Sequence, residues 1–221
     1  MNEFLTKIIA ILFPRSCLIC RTDISAPSYK YHVCSSCQEK IRWINPLIGE
    51  QLGPLDGFHA AAEFSFPLRE ILHFFKYQGK DYLYEFLVDL WTKSWAGPSL
   101  ESIDAIVPIP MPFWRETMRG YNQAALLGEE LGRRWRKPVI KNWLKRRIKS
   151  SSQTNLGRRD RLLNAESSFY LNRWFRKPSL PKAVLLVDDI FTTGATIKTC
   201  AKLLKKEGVQ LVFGSTIARE I

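Results

Sequence analysis

Residues 184–196 read VLLVDDIFTTGAT: an unbroken apolar run, two adjacent carboxylates, then a loop of hydroxyls and glycine. Residues 184–187 are apolar at every consecutive position, the pattern of a strand buried on both faces inside a parallel sheet. Open α/β sheets bind ligands outside the carboxyl ends of their strands. Asp188 and Asp189 therefore stand where a ligand is expected. Thr192, Thr193 and Gly194 come next, and a helical run begins near Ala195. The first turn of a helix carries unpaired N–H groups and the positive end of the dipole, which suits an anion. Gly194 permits close approach or a positive φ, and the hydroxyls of Thr192, Thr193 and Thr196 add donors.

Two ionised carboxylates would repel that anion, so they need another partner. As acceptors they suit the vicinal hydroxyls of a ribose, or water around a magnesium ion. A ribose 5-phosphate satisfies both halves, with hydroxyls toward the acids and phosphate toward the loop. Either half alone reads as a strand end followed by an ordinary Thr-rich helix start. Both together, in strand–loop–helix order, favour the ligand site.

Outward from this stretch, strands and helices alternate, the sign of a mostly parallel sheet flanked by helices. FHAAAEF reads as a strand, residues 68–76 and 81–95 as helices, and IDAIVPI as a strand. NQAALLGEELGRRW has helical spacing, and PVIKNWLKR reads as a strand. Residues 149–155 read as a polar loop, 156–163 as a short helix and SSFYL as a strand. A helix over 195–207 and the strand VQLVFGSTI close the chain. Residues 1–50 form a small module, the Pro- and Gly-punctuated stretch 45–57 a linker, and 51–221 the main domain.

The chain has 221 residues and a net charge of +12. Twelve cations against one acid, Asp160, fall between Arg133 and Arg161, so most of the excess is local. Such a run points to a phosphate-bearing partner, with a solvated face as the plainer alternative. Trp135, Trp143 and Trp174 lie nearby, and aromatics with cations form stacking grooves for single strands. Core packing is the competing role for these indoles. Residues 4–12 suggest an amphipathic helix, too short to cross a bilayer and without signal-peptide features. These features point to a cytoplasmic protein.

Cys17/Cys20 and Cys34/Cys37 are two C-x-x-C pairs separated by thirteen residues. Four thiolates so spaced complete a tetrahedron around zinc and leave no open catalytic position. Disulfides and a redox-active pair are the alternatives, the first disfavoured in a reducing compartment. His32 is close enough in sequence to compete as a ligand. Cys200, in a helical run, reads as a core cysteine, and His59 and His73 as packing residues.

The 184–196 motif resembles the phosphoribosyl pyrophosphate (PRPP) site of type I phosphoribosyltransferases, matched without a gap. The resemblance implies a Rossmann-like phosphoribosyltransferase fold. It also implies that Asp188 and Asp189 hold the ribose and act in catalysis. Thr192, Thr193, Gly194, Ala195 and Thr196 would hold the 5-phosphate, with Mg2+ bridging the pyrophosphate. It places the pyrophosphate loop at VPIP, around Pro108. Prolines lack N–H donors, so Arg115, Arg119 and Gly120 are the substitutes that the neighbouring sequence offers.

With the zinc-ribbon-like module added, the chain resembles the ComF/GntX family of competence-associated proteins over nearly its full length. The matching stretches include LFPRSCLIC, FKYQGK, VPIPMPFWRETMRGYNQA and SQTNLGRRDRLLNAESSF. Lys76, Gln153 and Arg161 fall on patterned positions, as do Arg119, Gly120, Asn122, Gln123 and Asn164. Met118 and Tyr121 depart from the family's usual residues. The resemblance implies a role in uptake or processing of transforming single-stranded DNA beside a helicase-like competence ATPase. Arg146, Arg147, Lys149, Arg158 and Arg159 are the candidate nucleic-acid contacts. An active phosphoribosyltransferase with an unidentified acceptor and a non-catalytic PRPP-sensing regulator remain open, with residues 145–155 as the candidate lid.

Overall fold

The computed structural model describes residues 15–24, 31–44, 52–147, 168–172 and 179–221. The expected N-terminal helix, the loop and helix over 149–163, Lys149, Gln153, Arg158, Arg159, Arg161, Asn164 and Trp174 lie outside them. So do the distal part of the candidate lid and most of the linker.

Four strands form the main sheet: β1 (Gly57–Glu63), β2 (Ala105–Pro108), β5 (Ala183–Phe191) and β6 (Leu211–Arg219). Their order is β1-β6-β5-β2 and every pairing is parallel. The helices are α1 (Ser35–Gln38), in the cysteine module before β1, and α2 (Leu68–Tyr77), α3 (Tyr84–Lys93), α4 (Phe113–Arg119), α5 (Gln123–Trp135) and α6 (Ala195–Lys206) between the strands. The architecture is therefore the expected α/β class.

Side chains alternate across a strand, so β5 feeds two separate cores. Leu185 and Val187 join Ile106 and Ile217 in a core that includes Leu72, Phe75, Phe86, Trp91 and Leu127. Val184 and Leu186 face the opposite way, among Ala105, Val107, Val212, Ile197, Cys200 and Leu204. Both faces are buried, which is why the run has no polar residue before Asp188. Cys200 is fully buried, as its helical position suggested.

Close approach of α5 to the sheet depends on Gly128. A methyl group there would lie 3.1 Å from Val187 and 3.7 Å from Pro108. Asn122 caps α5 by accepting from Ala125 N.

Two expectations are corrected. PVIKNWLKR is not one strand: Val139 makes a single parallel bridge to Ile106, and the chain then turns. Only β3 (Leu144–Arg146) pairs further, antiparallel with β4 (Phe169–Leu171). The turn at Lys141-Asn142 lets Trp143 enter the α6-side core, where it is buried. The second correction concerns β5, which the sequence places at KAVLLVDD and which runs on past both acids to Phe191.

The cysteine module packs directly on this frame. Val33, Ile41 and three of its cysteines share a core with Leu68, Leu83 and Phe86. Trp43 bridges Ala62 of β1. No helix among the described residues is long and apolar enough to cross a membrane.

Candidate functional site

The sheet itself creates the opening. β2 ends with Pro108 opposite Val187, one residue short of Asp188. On that side Asp188 and Asp189 have no strand neighbour among the described residues, while on the other β5 continues beside β6 to Phe191. The acids project to opposite faces of β5, as pleating requires.

Asp189 turns toward α2. Its Oδ2 meets Lys76 Nζ at 2.9 Å, and both side chains are largely buried. This ion pair lies in a cavity of about 820 Å3 whose wall also includes Glu70, His73, Tyr77, Arg115, Thr192 and Thr196. Residues 70, 73 and 77 recur at helical spacing, so one polar edge of α2 faces the cavity. His73 is therefore exposed on the cavity wall, 5.1 Å from the Tyr77 ring, and is not a packing residue. His59 is one: its ring joins Ser215 and the Ser94 carbonyl in the core, and burial lowers its pKa.

Asp188 turns toward α6. Its Oδ1 accepts from Asp189 N at 2.9 Å. It lines a niche of about 40 Å3 with residues 190–197 and Thr216. A water needs roughly 10–15 Å3 of such space, so the niche suits a small anion and not a sugar. The Asp188 carboxyl is pushed up to about 7, by burial first and then by the Asp189 charge; Lys76 and Arg146 act in the opposite direction. Arg146, half-buried on β3, is itself held below its usual range by burial and by Arg115, while Asp188 counteracts this. Arg146 thus belongs electrostatically to the acid pair.

Gly194 sits at φ +72°, where a Cβ would stand 2.5 Å from the Phe191 ring. It is the N-cap of α6, with no side-chain cap bond, so the first-turn N–H groups border the niche. Thr192 and Thr196 line both the niche and the larger cavity, which joins the two halves of the motif.

The other candidate residues occupy varied surroundings. Pro108 is buried and packs toward Gly128, away from both cavities. Arg115 lines the large cavity, whereas Arg119 rests 5.0 Å over the Tyr77 ring. Gly120 is the left-handed C-cap of α4 at φ +86°. Arg147 is exposed and lies 5.6 Å over Tyr170. The basic run is partly neutralised: Arg133 and Arg134 bind Glu130, Arg134 also binds Asp89, and Lys141 binds Glu129. Trp135 packs against Trp95 at 4.7 Å, and Trp143 is buried. In the described part of the basic run, Arg133, Arg134 and Lys141 are thus paired with acids and Trp135 and Trp143 are packed, while Arg146 and Arg147 lie over the Phe169 and Tyr170 rings.

The four cysteines converge. Their sulfurs all lie within 4.8 Å of one another, and the group can hold a metal ion. Cys17 and Cys37 are 3.9 Å apart and Cys20 and Cys34 3.5 Å, far beyond a disulfide's ~2.05 Å. Tetrahedral Zn–S bonds of ~2.3 Å give sulfur–sulfur edges of ~3.8 Å, so these spacings fit such a centre. Cys34 N donates to Cys17 Sγ at 3.4 Å, and Arg21 takes a left-handed φ of 65° just after Cys20. His32 stands apart, its ring 4.8 Å from Tyr82.

No protein-family model matches the chain. It is 30% identical over 225 residues to Competence protein F of Haemophilus influenzae, spanning 92% of this chain and 96% of that protein. It is 26% identical to Competence protein ComFC of Bacillus subtilis, over 80% of this chain and 79% of that one. Among solved structures it is similar to an orotate phosphoribosyltransferase from Aeropyrum pernix. That likeness has a TM-score of 0.38 and 18% identity, over 68% of this chain and 63% of the other. On the Haemophilus influenzae relative, matched along almost the whole of both chains, this chain belongs to the ComF family of competence proteins.

Proposed function

We propose that the chain is a phosphoribosyltransferase-like PRPP-binding protein that acts in uptake or processing of transforming single-stranded DNA in the cytoplasm. The observation that carries the reading is the shared border of Thr192 and Thr196, with Asp189 in the larger cavity and Asp188 beside the anion-sized niche. In this reading the α6 N-terminus and the threonine loop take the 5-phosphate. Asp189 accepts from the ribose hydroxyls after exchanging part of its Lys76 contact. Lys76 and Arg115, both on the large cavity, then face the diphosphate. Magnesium bound with that diphosphate would neutralise part of its charge and, in a turnover reaction, would favour its departure.

The four thiolates hold zinc as a structural clamp, because all four positions are filled by protein. Competence as the setting rests on the names of the relatives, and a helicase-like ATPase is the partner the family resemblance suggests.

Turnover is the second reading. The large cavity favours it, since the aromatic and polar edge of α2 extends beyond the acid–lysine pair. Incubation with PRPP, magnesium and a panel of bases and oligonucleotides separates the two, with pyrophosphate release as the readout. Release with one acceptor establishes a transferase. PRPP protection against heat without release with any acceptor establishes a binder or sensor. Absence of any PRPP effect removes both.

A further inference from the structure

Beyond Lys76, Tyr77 and Arg115 the molecule opens into a second recess of about 540 Å3, bordered also by Trp114, Met118 and Arg119. Its outer wall is α4, a helix that buries none of its side chains. Phe113 is 70% exposed, Met118 81%, Trp114 49% and, across the recess, Tyr77 66%. Surface helices ordinarily bury an apolar stripe, so a helix carrying Phe, Trp and Met wholly outside the core marks an interaction surface.

Cations are laid on these rings. The Arg115 guanidinium stands 5.0 Å over Trp114, and that of Arg119 stands 5.0 Å over Tyr77. Among the described residues neither arginine has a carboxylate within ion-pair distance. The composition selects among partners. An apolar helix would use the rings and strand two guanidinium charges without counter-ions. An acidic peptide would use the charges and leave the rings wet. A nucleotide uses both, because its base stacks on an aromatic face while its phosphate takes bidentate hydrogen bonds from arginine.

We propose that this recess is a nucleotide-binding site, distinct from the PRPP clamp and sharing its rim at Lys76, Tyr77 and Arg115. The base stacks on Trp114 and Tyr77, and Arg119 pairs with the phosphate. The nucleotide is either free or one unit of a single strand; both present the same base and phosphate. The site lies on α4 and the end of α2, not on the basic run after α5.

The test uses the full chain with its metal, titrated with thymidine monophosphate and, separately, with a labelled short oligothymidylate. Saturable binding of the monophosphate shows that one nucleotide unit suffices. Binding of the oligonucleotide alone assigns the site to a strand, and either result sustains the proposal. Trp114→Ala and Arg119→Ala, both surface substitutions, are each expected to weaken binding about tenfold, the loss of one stacking or phosphate contact. PRPP binding by Trp114→Ala should be unchanged. Failure of both ligands to bind, or affinity unchanged in both variants, overturns the proposal. Asp189→Asn keeps the two sites distinguishable: it is expected to lose PRPP and retain the nucleotide. Wild-type protein that ignores PRPP but binds nucleotide removes the clamp and leaves the recess.

Discussion

At Gly194 the backbone is left-handed, and two Phe191 ring atoms stand 2.5 Å from where a Cβ would project. Gly194→Ala therefore meets both torsional strain and a steric clash, and about 2 kcal/mol of lost stability is expected in a denaturant melt. The same change shifts the first-turn N–H groups, so PRPP affinity should fall as well. Asp188 supplies a prediction with a definite sign. Its carboxyl is raised from the ordinary 3.8 to about 7, so the folded protein holds a proton that the unfolded chain releases earlier. Stability from this group is fully present below the ordinary value and declines as pH rises through about 7. Asp188→Asn should cancel that decline, gaining on the order of 3 kcal/mol over wild type at pH 8 and much less at pH 4. Melting temperatures of both proteins across this range check it; parallel curves would contradict it. Much at this scale could be read from residue order, since the acids, hydroxyls and glycine are consecutive. Arg146 could not, because its influence on Asp188 depends on the β3–β4 ribbon packing against α6.

Among the elements, β5, α5, α6 and β6 were readable from periodicity, which is strong where both strand faces or one helix face meet core. PVIKNWLKR misled because its apolar content serves two partners, Ile106 through Val139 and the α6-side core through Trp143. On α2 the signal was present but easily passed over: Glu70, His73 and Tyr77 share an edge, and only the cavity shows that this edge faces a site. α4 was legible only as the patterned stretch before a helix, since a seven-residue helix that buries nothing has no core stripe to reveal it. The cysteine module was readable from spacing, yet its attachment was not. Tyr31 donates to Asp89 of α3, which also binds Arg134 of α5, and the Tyr31 ring meets Phe86 edge-on at 5.3 Å. Metal loss should therefore destabilise the main domain too. Chelation, or Cys37→Ser, is expected to cost about 3 kcal/mol and to lower the melting temperature by about 10 °C. A melting curve indifferent to chelator would contradict the structural role.

Over the whole molecule, a net charge of +12 suggests a general polyanion binder, but part of the described charge is already paired. Arg133, Arg134 and Lys141 are engaged by acids on α3 and α5, so they offer little to phosphate. Single-strand binding through α4 should then show a shallow salt dependence, with a log–log slope near −2, the value for about three phosphate contacts at ~0.7 each. A slope several times steeper would place the strand on a longer basic track. Glu129 and Glu130 lie just before the basic run and Asp89 far from it, so a charge count over residues 133–161 misses all three acids. The joined cavities around β5 carry the functional assignment, and calorimetric titration of magnesium–PRPP addresses them directly. Wild-type protein should bind with one saturable site, and Asp188→Asn combined with Asp189→Asn should lose it. Undiminished binding by the double variant, or none by the wild type, would contradict the assignment.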